Sequence, residues 1–484
     1  MNIRIVGRTV GRVLTLEAGF LLPSLFLCWY DGEKAIANAI LLSMGIMLLV
    51  GGLLQWQGKR VKDSFQTQEG FVTVALCWIF MSVLGCLPFY LSGQIPNYVD
   101  ALFEIVSGFT TTGASVLSDV EGLSRGILYW RSFSHWLGGM GILVFALAVV
   151  PNANNAGGRL HLLRAESPGP SVGKLTPRVR HTAMILYGIY LGMTVLCVLF
   201  LLAGGMPLFD SLCTAYGTAG TGGFGIKNDS LAGYSPYLQN VCTVFMLLFG
   251  VNFSIYYLLL LRKVRDVFRD EELRCYLLIF ALSTAAITWD ILPRMKSLGE
   301  SLHHAAFQVS SIMTTTGFST VDFDQWPSFS KSILLMLMVL GACAGSTGGG
   351  IKTIRLVLMV KDLTRNMRKL LRPNRVQLVH INGKPVEEST LKGVSTFLAA
   401  YWTLMAVSVI LVSLDGFPLE SNISAVFACF NNIGPGFGVV GPISNYGSYS
   451  AFSKLVLTAD MLLGRLEIFP MLALLSRQSW SRCR

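Results

Sequence analysis

Apolar stretches long enough to cross a bilayer follow one another along almost the whole chain. They fall at 14–30, 35–55, 71–91, 127–150, 182–204, 237–261, 275–292, 331–360, 394–414 and 452–476, against the roughly 17–25 residues that a spanning helix needs. Between some of these spans lies a shorter amphipathic run that ends in a Thr/Gly-rich turn, and this happens four times. The turns are Thr110-Thr111-Thr112-Gly113-Ala114-Ser115, Gly220-Thr221-Gly222-Gly223-Phe224-Gly225, Met313-Thr314-Thr315-Thr316-Gly317-Phe318-Ser319 and Asn431-Asn432-Ile433-Gly434-Pro435-Gly436. Aligned on Gly113, Gly223, Gly317 and Gly434, they stand 110, 94 and 117 residues apart, a period that predicts four diverged repeats far longer than solenoid units. Thirteen residues before each aligned glycine stand Asp100, Asp210, His304 and Ser421, polar residues at which a short helix is expected to begin. A helix of about ten residues cannot cross a bilayer, so each run is predicted to be re-entrant.

The repeat unit is therefore span, short helix, glycine turn, span, with 71–91 paired to 127–150, 182–204 to 237–261, 275–292 to 331–360 and 394–414 to 452–476. The spans 14–30 and 35–55 stand outside it as an N-terminal hairpin. This divides the chain into a hairpin and linker at 1–70, repeat 1 at 71–151, a basic linker with repeat 2 at 152–268, repeat 3 at 269–366, and a linker, repeat 4 and tail at 367–484. The fold class is an all-α polytopic membrane protein with ten transmembrane helices, four span–pore helix–span repeats lying around a central pore. Composition agrees: 52% of residues are hydrophobic and 13% charged, with a mean hydropathy of +0.57, where soluble domains carry about 25% charged residues.

The ten cysteines include no Cys-x-x-Cys and lie mostly inside apolar spans, where cysteine acts as a small hydrophobe; no metal or disulfide role is expected of them. The net charge of +11 raises nucleic acid as a partner, but its distribution argues for orientation. Ten spans put both termini on one side, and the segments there carry 27 of the 38 Lys and Arg, against 8 opposite. The positive-inside bias predicts cytoplasmic termini and four turns on the outer half of the bilayer. The longest cytoplasmic segments, 152–181 and 361–393, are basic surfaces suited to anionic lipid. The N-terminus has no cleavage site of a signal peptide.

Non-helical backbone at membrane depth is tolerated only when buried in protein or lining a wet cavity. Four such turns around one axis can point carbonyls inward and replace the hydration shell of a cation such as potassium. Glycine allows the dihedrals required, Thr111, Thr221 and Thr315 can add hydroxyl oxygens just below, and the short helices aim their negative C-terminal ends at the ion. Ordinary helix-capping loops would explain one copy better than four.

Two spans carry anomalies. Gly341-Ala342-Cys343-Ala344-Gly345-Ser346-Thr347-Gly348-Gly349-Gly350-Ile351-Lys352 holds five glycines in its first ten residues, each costing a helix about 1 kcal/mol relative to alanine. A small-xxx-small helix contact accounts for Gly345 and Gly349, but not for Gly348-Gly349-Gly350. We expect a mid-membrane loop there, with helix resuming at Ile351-Lys352, and Lys352 and Arg355 snorkelling at the inner face. The span 452–476 contains Asp460, Arg465 and Glu467, and intramembrane charges are functional candidates. Arg465 is the sharpest of them, being mid-span, and the alternative to a functional role is a structural ion pair with Glu467 or another acidic neighbour. Glu17 and Glu104 have no assigned role. A serine hydrolase using Ser346 or Ser115 with His135 is a poor third reading, since Ser346 lies in Gly-Ser-Thr-Gly. No Gly-x-Gly-x-x-Gly follows a strand, so nucleotide control would need a partner.

With these motifs the chain resembles the TrkH-type subunits of the Trk/Ktr/HKT superfamily of potassium transporters over essentially its whole length. The hairpin 14–55 and the Asn-Ile-Gly-Pro-Gly turn favour the TrkH branch over KtrB. The resemblance implies gated, channel-like potassium uptake through a filter made of Thr111, Thr112, Gly113, Thr221, Gly222, Gly223, Thr315, Thr316, Gly317, Asn432, Ile433 and Gly434. It implies a gating loop of Ala344, Gly345, Ser346, Thr347, Gly348, Gly349 and Gly350, with Arg465 across from it. It further implies a homodimer in the cell membrane (the inner one where the source has two), a cytosolic TrkA-like ring that binds NAD and adenine nucleotides, and no organic cofactor on this chain, only the potassium ion. No turn has the Thr-Val-Gly-Tyr-Gly run of tetrameric potassium channels, and the second and fourth depart from Thr-Thr-Thr, so the ring is expected to be only pseudo-fourfold. Na⁺- or H⁺-coupled symport stays open through Asp460 and Glu467, although all four repeats enter from one side, unlike inverted repeats.

Overall fold

The computed structural model describes residues 3–58, 67–141, 179–372 and 377–480. Helices Ile3–Phe20 and Leu22–Tyr30 form one span, which packs on Lys34–Gln57. Gly11 and Gly51 face each other at that contact: a Cβ on either would press on the other's carbonyl oxygen. Among the described residues six helices are long and apolar enough to cross a membrane, and one bent pair makes a further candidate. This is a multi-pass membrane protein.

The four short helices are Tyr98–Phe109, Leu208–Ala219, Leu298–Met313 and Leu419–Phe430. Long helices precede them, at Thr67–Gly85, Val179–Ala203, Glu271–Ile291 and Glu388–Val412. Their starts differ from the expectation. The cap positions are Asn97, Pro207, Ser297 and Pro418, with Asn97 accepting from Val99 N and Ser297 from Glu300 N. Asp100, Asp210 and Ser421 lie inside the first turn, where the acids suit the positive helix end, and His304 lies deep in the third helix with Nδ1 3.0 Å from Thr320 Oγ1.

The helices that follow the turns are the larger correction. The spans at 237–261 and 452–476 are interrupted, the helix of the span at 127–150 stops at Gly139, and the span at 331–360 breaks where the glycine-rich loop was expected. Arg125–Gly139 ends before Gly141 (φ 76°), and 142–150 lies outside the described residues. Pro236–Phe249 gives way at Gly250-Val251-Asn252 to Phe253–Leu260, turned by 90°. Ser328–Leu340 is separated from Thr353–Leu371 by non-helical residues 341–352. Ala451–Arg465 is separated from Phe469–Leu475 by a turn in which Glu467 and Ile468 have φ of 53° and 68°. Hydropathy averages across such breaks, but glycine marks them. At Gly138 and Gly464 a Cβ would overlap the carbonyl of Phe109 or Phe430, the last residue of the short helix alongside. The helices approach more closely there than any other residue permits.

Thr353–Leu371 leads to a small hairpin pairing His380–Ile381 with Lys384–Pro385. Lys361 binds Glu271 and His380 O, and Arg365 binds Glu388 at 2.7 Å. Residues 152–178 of the first basic linker and 481–484 of the tail lie outside the described residues.

Candidate functional site

Each short helix ends in the same way. The residue two before the aligned glycine has left-handed φ: 57° at Thr111, 53° at Thr221, 59° at Thr315 and 56° at Asn432. Its N–H reaches back three residues, and the next N–H reaches back five. These second bonds, Thr112 to Ser107, Gly222 to Gly217, Thr316 to Ser311 and Ile433 to Ala428, are all 2.8 Å long. This is the Schellman ending, in which glycine usually takes the left-handed position. A non-glycine residue there costs of order 1–3 kcal/mol and persists only when its surroundings over-determine it. The aligned glycines are left-handed too, with φ of 79°, 76°, 88° and 98°.

The turns close on one another. A Cβ on Gly113 would overlap Gly222 O, one on Gly223 would overlap Thr316 O, one on Gly317 would overlap Ile433 O, and one on Gly434 would come within 2.7 Å of Thr112 O. Every glycine thus abuts the carbonyl of the residue that precedes the glycine of the next repeat, and the fourth returns to the first. A cavity of about 110 Å³ opens on the far side of this ring, with Gly113, Gly223, Gly317 and Gly434 all in its lining.

Buried polar groups brace the ring from behind. Glu104 receives Arg131 Nε at 2.7 Å, Ser115 Oγ at 2.9 Å and Val116 N at 3.0 Å. Arg131 also donates to Gly225 O at 2.8 Å and covers the Phe224 ring, so one ion pair ties turn 1 to turn 2. Arg131 is 3% exposed. Pairing offsets the cost of burying it. His135 joins the same turns, with Nδ1 2.8 Å from Gly108 O while Nε2 accepts from Phe224 N. Both its nitrogens serve backbone, so His135 is not free to act as a base for Ser115 or Ser346. Tyr446 donates to Gly434 O at 2.7 Å.

The hydroxyls expected below the ring are already engaged. Thr111 and Thr221 donate to the carbonyls of Thr110 and Gly220. Asn432 turns sideways to Thr112 Oγ1 and Met461 O. Thr315 Oγ1 accepts from Gly349 N at 2.6 Å, which brings the glycine-rich segment against turn 3. A Cβ on Gly348 would meet Thr314 O, and one on Gly349 would meet Asn431 O.

The segment 341–352 is held on several sides. Cys343 N donates to Gly250 O and Phe253 N to Gly345 O, each at 3.0 Å, from the bend in repeat 2. Glu272 accepts from Ala344 N at 2.7 Å and Ile354 N at 3.1 Å, spanning both ends of the segment. Arg465 donates to Thr347 O at 2.8 Å, to Gly139 O at 2.7 Å and to Gly138 O. Its guanidinium therefore links the segment to the helix end of repeat 1. Glu467 is bound by Arg355.

Two inner-face assignments also change. Lys352 and Arg355 do not snorkel: they are 2% and 5% exposed. Lys352 has φ 75° and donates to Gly348 O, so helix resumes at Thr353 and not at Ile351. Both cations find partners in protein because the broken spans bring loop carbonyls and Glu467 to them.

Known proteins resemble this chain along its length. The profile of the family described as "TrkH: Cation transport protein" matches residues 36–481. The "Trk system potassium uptake protein TrkH" of Salmonella typhimurium is 36% identical over 99% of this chain and 100% of its own. The "Trk system potassium uptake protein TrkG" of Escherichia coli K12 is 33% identical over 99% of both. The crystal structure of the potassium transporter TrkH from Vibrio parahaemolyticus superimposes with a TM-score of 0.88 at 31% identity, covering 99% of this chain and all of that one.

Proposed function

The chain belongs to the TrkH family of cation transport proteins, and from that premise we propose that it takes up potassium through the centre of the four-turn ring. The observation that carries this reading is the closure of the ring, each glycine seated on the carbonyl of the next repeat. Four backbone turns with left-handed residues at matching positions offer inward oxygens to a dehydrated cation. The filter is assigned to Thr111, Thr112 and Gly113, Thr221, Gly222 and Gly223, Thr315, Thr316 and Gly317, and Asn432, Ile433 and Gly434. The gate is assigned to Ala344–Gly350, which lies against Thr315 and Asn431. Both termini would be cytoplasmic, and the 110 Å³ cavity would be the outer mouth. The Trk-system names of the relatives support a partnered assembly, which we take as a homodimer on a cytosolic nucleotide-binding ring.

The test is ⁸⁶Rb⁺ flux into liposomes containing purified protein, with Na⁺ as competitor. Gly113→Ser and Gly317→Ser each push a side chain into the neighbouring carbonyl, and the K⁺/Na⁺ preference should fall about tenfold, the equivalent of roughly 1.4 kcal/mol. Unchanged competition in both variants would remove the ring from the permeation path. Deleting Ala344–Gly350 should raise basal flux with no partner present. A deletion protein that folds and conducts no faster than wild type would make the segment a strut and not a gate.

Coupled transport is the second reading, supported by Asp460. Its Oδ1 accepts from Ser408 Oγ at 2.7 Å, while Oδ2 is buried without a hydrogen bond. Flux that follows an imposed Na⁺ or proton gradient with no membrane potential would favour it over a passive channel.

A further inference from the structure

Away from the ring, a groove of about 940 Å³ runs between Val179–Ala203 and the bent pair Pro236–Phe249 and Phe253–Leu260. Its size lies near the top of the range for ligand pockets, roughly 300–1,000 Å³. The lining is almost wholly apolar, from Phe200 and Val244 down to Leu259 and Leu260. Gly188 and Gly192 lie along one wall, and a Cβ added to either meets nothing within 4 Å.

At one end of the groove the chain runs on from the lining residue Leu260 into three closely spaced cations. Past Leu260 the chain folds back, with Arg262 N donating to Leu259 O and Lys263 N to Leu258 O. Arg262, Lys263 and Arg265 are exposed there, interrupted by Asp266 and followed by Asp270 and Glu271. An apolar trough that ends at three cations is complementary to a molecule with hydrocarbon at one end and an anion at the other. In a chain that spans a bilayer, such molecules surround it on every side.

We propose that this groove binds an anionic phospholipid, its acyl chains along Gly188 and Gly192 and its phosphate on Arg262, Lys263 and Arg265. The wall formed by the bent pair is also the support of the glycine-rich segment, through Gly250 O to Cys343 N and Phe253 N to Gly345 O. A lipid seated against the bend braces that support, a regulatory role that rests on the gating reading above; the binding itself does not.

The experiment titrates the detergent-purified, full-length protein with phosphatidylglycerol or phosphatidylcholine and counts retained lipids by native mass spectrometry. Phosphatidylglycerol should be retained in preference to phosphatidylcholine. The pair Gly188→Leu/Gly192→Leu, or Gly192→Leu alone, should weaken its retention about tenfold, comparable to losing roughly two buried methylenes. Lys263→Gln/Arg265→Gln should narrow the preference between the two lipids while leaving phosphatidylcholine retention unchanged. Thermal unfolding of each sample identifies variants that are not folded, and the open space at both glycines makes folding the expected result. Equal retention by wild type and the folded groove-filled variants would overturn the site. So would a changed dimer fraction with unchanged lipid, which would give the face to a second copy of the chain.

Discussion

Replacing Arg465 by Ala should raise potassium flux per folded molecule by about a hundredfold. A guanidinium keeps its proton in proteins, and a K⁺ passing at about 6 Å with an effective dielectric near 20 meets a barrier of roughly 3 kcal/mol. The structure adds a second reason. Arg465 donates to Thr347 O in the glycine-rich segment and to Gly138 O and Gly139 O in repeat 1, so its removal also unties that segment. Arg465→Lys should keep most of the electrostatic barrier but cannot satisfy three carbonyls in the same fork. Its flux should lie between wild type and Ala. The measurement is ⁸⁶Rb⁺ flux alongside thermal stability on the same preparation. An Arg465→Ala protein that is destabilised, with flux unchanged or lower, would make the residue a scaffold element.

Breaking the ion pair behind turns 1 and 2 should have the largest effect on stability. Arg131→Ala leaves Glu104 fully buried with only Ser115 and Val116 as hydrogen-bond donors. Loss of one partner of a buried pair costs about 3–5 kcal/mol. Arg131 also holds Gly225 O, so surviving protein should discriminate less well between K⁺ and Na⁺. Glu104→Gln/Arg131→Met removes both charges at similar volume and should recover much of the stability without the selectivity. A double variant no more stable than Arg131→Ala alone would show that the pair's charges do not account for the loss.

Much of this architecture was legible in the sequence because its main signals are strong and local. The four glycines align over the whole chain, and Gly348-Gly349-Gly350 is incompatible with a helix. What escaped was whatever depends on distant partners. Thr111 gives no sign of a left-handed conformation, since threonine resists it; only the Schellman bonds and the neighbouring repeat impose it. Nothing in the sequence around Arg131 or Lys454 shows that each is buried against an acid on another element, Glu104 and Asp100. Arg355 and Glu467 are 112 residues apart, beyond any spacing rule. The breaks beside Gly138, Gly250 and Gly464 were missed because a hydropathy window reads through a bend.

The order in which the turns seat has a genetic consequence. Contact runs one way round: the glycine of repeat 1 on the carbonyl of repeat 2, then 2 on 3, 3 on 4, and 4 back on Thr112 of repeat 1. A lesion at Gly223 is therefore felt first at Thr316, and a lesion at Gly434 near the opposite end of the gene. Second-site suppressors should cluster in the following repeat and not the preceding one. Substitutions in adjacent quadrants should show epistasis, whereas those in opposite quadrants should combine almost independently, as sites without shared contacts do. Selection would then act on this polypeptide as on a circle, with its first and last repeats as neighbours.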